Sequence, residues 1–269
     1  MAFDKSNLIV DHHLDRLGTE ELKDYVAHVA CTCGRLDFTF GGRPFTLKAG
    51  EAMIVVIQLL IERVRCSADL EAMCIYLKQD FLELCTPRSN YGVKGSLALY
   101  SCPVMQPDKD RFEQLRQDFA QIERRLQEDR NMFQEDVLLC ATQMMFLDFF
   151  DIHAAQNGFA NISFQDTDVI TRFMDMLERG DYVKNREVGY YADKLCVTPK
   201  YLSEICKSVS GKTANYWISR FTTIHIRRLL KEREMTFTQI SDFFEFSSPA
   251  YFSRFVQKHL GTSPTNFRE

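Results

Sequence analysis

The sequence predicts an α+β protein in two parts: a β-rich first half that carries a helical hairpin, then an all-α second half. Three observations predict it. The stretch TPKYLSEICKSVSGKTANYW, residues 198–217, returns as SPAYFSRFVQKHLGTSPTNF, residues 248–267, at an offset of fifty positions. Short β-type runs broken by Gly-containing turns fill residues 26–84. Between these regions, apolar residues repeat at helical spacing from Asp108 onward.

Taken in order, residues 1–25 carry only a short helical signal, Leu14 to Tyr25. FTF (38–40), Gly41-Gly42 and PFTL (44–47) then read as strand, turn and strand, closed by Ala49-Gly50. AMIVVIQLLIERV (52–64) and DLEAMCIYL (69–77) read as two further strands. Strands at this density predict a small barrel or sandwich. Residues 84–106, rich in Pro, Gly and Ser, read as a loop leading into helices. Phe112, Leu115, Phe119, Ile122 and Leu126 then alternate steps of three and four, a coiled-coil-like seam. Such a seam serves either a second copy or internal packing. One hairpin leaves an apolar edge here, so the expectation is a homodimer through residues 108–156. A second helix, roughly 132–155, is apolar nearly all round and should be enclosed on several sides. Its densest run, residues 137–150, is about fourteen residues long and includes Asp148, too short to span a bilayer. No membrane partner is expected. Asn157-Gly158 opens a connector, Asp166 or Thr167 can cap the next helix, and Gly180 can end it. The domains are accordingly set at 1–160 and 165–269.

The repeat pairs Pro199 with Pro249, Tyr201 with Tyr251, Leu202 with Phe252, Ile205 with Phe255, Gly211 with Gly261 and Trp217 with Phe267. Each copy opens on a hydroxyl N-cap followed by Pro and closes on Gly, which fixes both ends of a helix. In the first copy Leu202, Ile205, Cys206 and Val209 make the apolar stripe. In the second, Phe252, Phe255, Val256 and His259 or Leu260 take that side. Trp217 and Phe267 are expected to close the apolar side of each subdomain. Lys200, Ser203, Glu204 and Lys207 face outward in the first copy; Ala250, Ser253, Arg254 and Gln257 do so in the second. A short helix precedes each copy, Glu187 to Leu195 and Phe237 to Phe244. Short helix, tight turn and second amphipathic helix make a helix-turn-helix, whose second helix enters the DNA major groove. A connecting helix, about Ala214 to Lys231, joins the two motifs.

These residues carry a resemblance. Residues from about 165 to 269 resemble the DNA-binding domain of the AraC/XylS family of bacterial transcription regulators, most closely at FSSPAYFSRFVQKHLGTSPTNFR (246–268). The family has Gly where this chain has Glu245, and a small residue where it has Ser241. The resemblance implies seven helices, two helix-turn-helix subdomains and double-stranded DNA as partner. The base-reading residues would be Lys200, Ser203, Glu204, Ala250, Ser253 and Arg254, with Lys207 and Gln257 completing the contact faces. RPFTLKAGEAMIV (43–55) resembles, in position, the cupin-like effector domain of the same family. A cupin-like barrel would make the first half a sensory or dimerisation domain, with a small-molecule effector and RNA polymerase as further partners. The alternative is a first half that binds only other polypeptides.

Composition narrows the remaining classes. The net charge of −4 conceals an asymmetry: residues 165–269 hold 16 Lys/Arg against 13 Asp/Glu, and residues 1–164 hold 17 against 24. Hydrophobic residues, 45% of the chain, suffice for two real cores. None of the six histidines falls between residues 29 and 152, so the strands lack the ligands of a metal-dependent cupin enzyme. Cys31, Cys33, Cys66, Cys74 and Cys85 lack the spacing of a zinc site. No catalytic, metal or cofactor site is therefore expected. Nine cysteines without a C-x-x-C pair, and an N-terminus without an apolar signal region, point to a reducing cytoplasm.

Overall fold

A computed structural model of the chain describes residues 4–87, 99–100, 102–128, 132–157 and 163–268. Two compact units divide it, Met1–Asn161 and Ile162–Glu269.

The first unit is antiparallel β with helices on one face. Strands β1 (Leu8–Asp11), β2 (Tyr25–Cys33), β5 (Ala52–Val55), β7 (Glu71–Lys78) and β8 (Val104–Met105) form a five-stranded sheet in the order β1-β7-β2-β5-β8. Strands β3 (Arg35–Phe40), β4 (Arg43–Lys48) and β6 (Ile61–Cys66) form a second sheet, β4-β3-β6. The β3–β4 hairpin turns at Gly41-Gly42 and keeps strict register from Arg35↔Lys48 to Phe40↔Arg43. Alternate residues of β2 face different layers, as the two-residue strand period requires.

The run expected as one strand, residues 52–64, is two. β5 lies in the larger sheet and β6 in the smaller, and a 3-10 turn at Gln58–Leu60 carries the chain between them. Gln58 is wholly buried there, its Oε1 accepting from the Gly18 N–H at 3.0 Å. Leu14 to Tyr25 is not a helix either; it is a series of turns with one 3-10 element at Glu20–Leu22. The expected loop at 84–106 falls largely outside the described residues. Before it, the chain forms helix α1 (Gln79–Cys85) directly after β7.

Helices α2 (Lys109–Leu126) and α3 (Gln134–Asn157) form the hairpin. The seam does not await a partner. Leu115, Phe119 and Ile122 are wholly buried in one core with Val26, Ala30, Ile54, Ile75 and Leu77 of the larger sheet and Leu138, Met145 and Phe149 of α3. The reason is geometric: a seam of this width fits a sheet face plus one helix, and both lie in the same unit. Nor is α3 enclosed on several sides. Its outer face leaves Met144 and Leu147 about half exposed, and Met132 and Phe133 just before it more so. The apolar run sits inside a helix of 24 residues, which by length and mean hydropathy could cross a bilayer. Its inner face, Leu138, Met145, Phe149 and Ile152, is instead part of this core. Asp118 of α2 is buried beside Asp148 of α3, and burial together with that second carboxyl pushes its pKa up to about 7.

The second unit is all α: α4 (Phe164–Glu178), α5 (Val188–Lys194), α6 (Pro199–Ser210), α7 (Ala214–Glu232), α8 (Phe237–Phe243), α9 (Pro249–Leu260) and α10 (Pro264–Arg268). Its core gathers Phe173, Tyr191, Trp217, Phe221, Phe244 and Phe252, all nearly inaccessible. Ser163, not Asp166 or Thr167, caps α4, its hydroxyl accepting from the Asp166 N–H at 3.0 Å. Gly180 follows the helix in the left-handed region. All nine cysteines of the chain are free thiols.

Candidate nucleic-acid interface

The two motifs are built alike, bond for bond. In the first, α5 ends in a turn where the Val197 N–H reaches back to the Ala192 carbonyl (3.0 Å) and Cys196 N–H to that of Asp193 (3.2 Å). In the second, α8 ends with the Phe246 N–H on the Ser241 carbonyl (2.9 Å) and Glu245 N–H on that of Asp242 (2.9 Å). Both are Schellman closures, which need one residue in the left-handed region. That residue is Cys196 in the first turn (φ 56°) and Glu245 in the second (φ 49°), so neither uses the glycine such a turn favours. At Glu245, where the resembling family has Gly, the turn thus forms with a side chain held at positive φ.

Each following helix starts at a hydroxyl. The Thr198 Oγ1 accepts from Tyr201 N–H at 3.1 Å and Ser248 Oγ from Tyr251 N–H at 3.2 Å, with Pro199 and Pro249 in the first turn. Both helices end at a left-handed glycine, Gly211 and Gly261. Thr213 and Ser263 then cap α7 and α10 in the same manner.

The expected core stripe holds fully in α6, where Leu202, Ile205, Cys206 and Val209 are all buried. In α9 only Phe252 and Val256 are. Phe255 is half-buried and His259 exposed, their rings packed at 4.3 Å on the flank of the helix. Phe246, from the turn, fills the volume a deeper Phe255 would take, standing 5.5 Å from Phe252 and 5.3 Å from Phe255. Trp217 is buried, its indole N–H donating to Ser210 Oγ at 2.9 Å, whereas Phe267 is only half-buried beneath Arg227.

Among the outward residues, Lys200, Glu204, Lys207, Ala250, Ser253, Arg254 and Gln257 are exposed and Ser203 is half-buried. On α6, Lys200 and Glu204 form an open ion pair at 3.9 Å, one turn apart. On α9 the Arg254 guanidinium lies 6.0 Å from the Tyr251 ring, while the Gln257 amide folds back to donate to the Gly261 carbonyl at 3.2 Å. The equivalent tyrosines differ. Tyr201 donates its hydroxyl to Asp166 at 2.6 Å, but Tyr251 remains 47% exposed beside Arg254. Sequence pairing alone hides that difference, because Asp166 lies on α4, outside the repeat.

The α7 helix joins the motifs over 19 residues, about 28 Å of rod. His225 sits on it, half-buried, hydrogen-bonded to the Tyr182 hydroxyl (3.1 Å) and to Arg228 (3.2 Å), with the Phe243 and Phe244 rings edge-on at 5.6 and 5.1 Å. Burial, then the neighbouring Arg228, holds its pKa down to about 4.

Comparison with known proteins bears on this unit. Residues 191–269 match the family described as a helix-turn-helix domain. The chain is 28% identical over 102 residues, 38% of its own length and 81% of the relative's, to the probable transcription factor PqrA of Proteus vulgaris. Among solved structures it is similar to ToxT from Vibrio cholerae O395 (12% identity, TM-score 0.47, 97% of this chain and 95% of that one). It is also similar to the C-terminal domain of the response regulator yesN from Fusobacterium nucleatum (20% identity, TM-score 0.34, 36% of this chain and 94% of that one). Residues 191–269 are thus similar to a helix-turn-helix domain, and the similarity to PqrA extends over 102 residues of the chain.

Proposed function

We propose that the protein is a sequence-specific, DNA-binding transcription regulator whose α6 and α9 read successive major-groove faces of one duplex. The observation that carries this reading is the pair of capped, outward-facing helices, each preceded by the same closed turn and joined by one rod. A rod of about 28 Å, with the helices set beyond its ends, suits groove faces about 34 Å apart. Lys200, Ser203, Glu204, Ala250, Ser253 and Arg254 are assigned to base edges, with Lys207 and Gln257 flanking them. The free N–H groups of the helix starts and the surrounding cations take phosphates. Selection of duplexes from a random pool by the full chain, followed by titration at rising salt, tests this. The expected result is one preferred site with affinity falling steeply with salt. Equal binding to every sequence would count against it.

The N-terminal unit is assigned as a cupin-like sensory and dimerisation domain, working in the cytoplasm and acting on RNA polymerase through the bound promoter. A small-molecule effector is favoured by Gln58: its amide nitrogen is buried without a partner, a donor that costs free energy until something accepts from it. A homodimer through residues 108–156 is favoured by the exposed α3 face at Met144 and Leu147 rather than by the seam. Light scattering of the wild type and of Met144→Glu/Leu147→Glu separates the cases: dimer and monomer support it, two monomers refute it.

A further inference from the structure

We propose that Arg186 is a positioning residue that fixes the angle between the two recognition helices, and so sets the half-site spacing the protein accepts. The inference rests on the DNA-binding reading above. Arg186 belongs to the first motif by sequence, two residues before α5. Its guanidinium nevertheless works in the second. One nitrogen, Nη1, donates to the Phe244 carbonyl and to the Val183 carbonyl (3.1 Å); Nη2 donates to the Glu245 carbonyl at 3.2 Å. The same group lies 4.3 Å from the centroid of the Phe246 ring.

Three of these partners, Phe244, Glu245 and Phe246, are the turn of the second motif. Phe244 and Glu245 carry carbonyls that the Schellman closure leaves unpaired at the α8 C-terminus, where the helix dipole is negative. A planar, permanently charged fork satisfies both at once while stacking on the next residue's ring, which an ammonium cannot do. The root of the fork is held as firmly as its tip. The Tyr191 hydroxyl of α5 donates to the Asn185 carbonyl at 2.9 Å, and the Asn185 N–H donates to the Asp181 carbonyl at 3.0 Å. Ser248, the cap of α9, comes two residues after Phe246. The first motif therefore grips the second at the joint from which its recognition helix projects.

Leverage makes this joint matter. The twelve residues of α9 extend about 18 Å, so a rotation of ~10° at the turn moves the far end by ~3 Å. That is about one base-pair step. With the fork in place, an operator lengthened by one pair between its half-sites meets a misplaced helix; without it, α9 can follow.

The test uses the full chain and the site it selects from random duplex, with one or two base pairs inserted between the half-sites. The wild type should lose about tenfold in affinity or more per insertion. Arg186→Met should bind the selected site several-fold more weakly and show an insertion penalty of about threefold or less, with Arg186→Lys intermediate. A folded Arg186→Met that keeps the wild-type insertion penalty overturns the proposal. A DNA-free measurement separates this from the regulator reading: pulsed spin-label distances between unnatural side chains at Ser208 and Lys258. The distribution should be narrow in the wild type and broadened in Arg186→Met; an unchanged width refutes the role of Arg186 even if the wild type selects no duplex. Should Arg186→Met not fold, Phe246→Leu, which removes the ring beneath the guanidinium, is read by the same two measurements and the same criteria.

Discussion

The two helix-turn-helix halves share caps, turns and connecting geometry, yet they differ in packing depth and in the charge of their outer faces. In the first, four stripe residues of α6 are buried and Lys200 faces Glu204 at 3.9 Å, so its outer face is close to neutral at the helix start. In the second, two stripe residues of α9 are buried, Phe255 and His259 pack on the flank, and Arg254 lies beside the exposed Tyr251 ring. One fold, repeated, thus presents two outer faces of unequal packing depth, close to neutral at the start of α6 and cationic at Arg254 on α9. Under the proposed reading, the first would discriminate with little phosphate-driven affinity, and the second would supply cationic grip from a helix steadied by the Phe246 turn and Arg186.

The packing side of that contrast is the largest effect to test. Phe252→Ala should cost about 3–5 kcal/mol of stability, as for a wholly buried aromatic. Phe255→Ala should cost only about 1 kcal/mol, because half of its surface already meets solvent or the His259 ring. Its counterpart Ile205→Ala, fully enclosed, should cost about 2–5 kcal/mol. Denaturant melts of the three variants check the order, and equal costs for Phe255 and Ile205 would erase the packing difference.

Next comes the residue linking the halves. The folded pKa of His225, about 4, lies below the ordinary 6.5. The unfolded chain therefore binds more protons between those values, and this contribution to stability is present above pH 6.5 and lost as pH falls toward 4. Amide exchange on the C-terminal unit of the full chain should show α7 and α8 loosening over that window. His225→Gln should flatten the response, and an unaltered pH profile in that variant would remove His225 from the account.

The smallest effect concerns the turns, where the halves are alike. Cys196→Gly and Glu245→Gly each relieve a side chain held at positive φ but add freedom to the unfolded chain, so a net gain of about 0.5 kcal/mol is expected for each. A loss at either position in thermal melts would mean that its side chain supports the turn.

The C-terminal half was legible because its signals are local. Thr198, Pro199 and Gly211, with Ser248, Pro249 and Gly261, mark helix ends without reference to the rest of the chain, and the fifty-residue offset aligns them. The depth of burial was not legible: Phe255 fits a helical stripe by spacing, and only the position of Phe246 keeps it at the edge. Arg186 escaped for the same reason, since its partners lie nearly sixty residues away. In the N-terminal half, residues 52–64 read as one apolar run because β propensity continues through the point where Gln58 crosses between sheets. The seam from Phe112 to Leu126 announced an apolar face but not its partner, because a second copy and the protein's own sheet demand the same spacing.

The central claim is that the halves read DNA through opposite chemistries at equivalent positions. It is tested most directly by titrating wild type, Arg254→Ala and Glu204→Ala against the selected operator and its single-base substitutions. A guanidinium can donate twice to guanine O6 and N7, whereas a carboxylate can only accept, as from cytosine N4. Arg254→Ala should cost about 1–3 kcal/mol and relax preference at one G·C pair in its half-site. Glu204→Ala, which also frees Lys200 from its ion pair, should leave affinity similar or slightly higher while losing discrimination at a cytosine in the other half-site. A shift of equal size across all operators, in both variants, would contradict the claim.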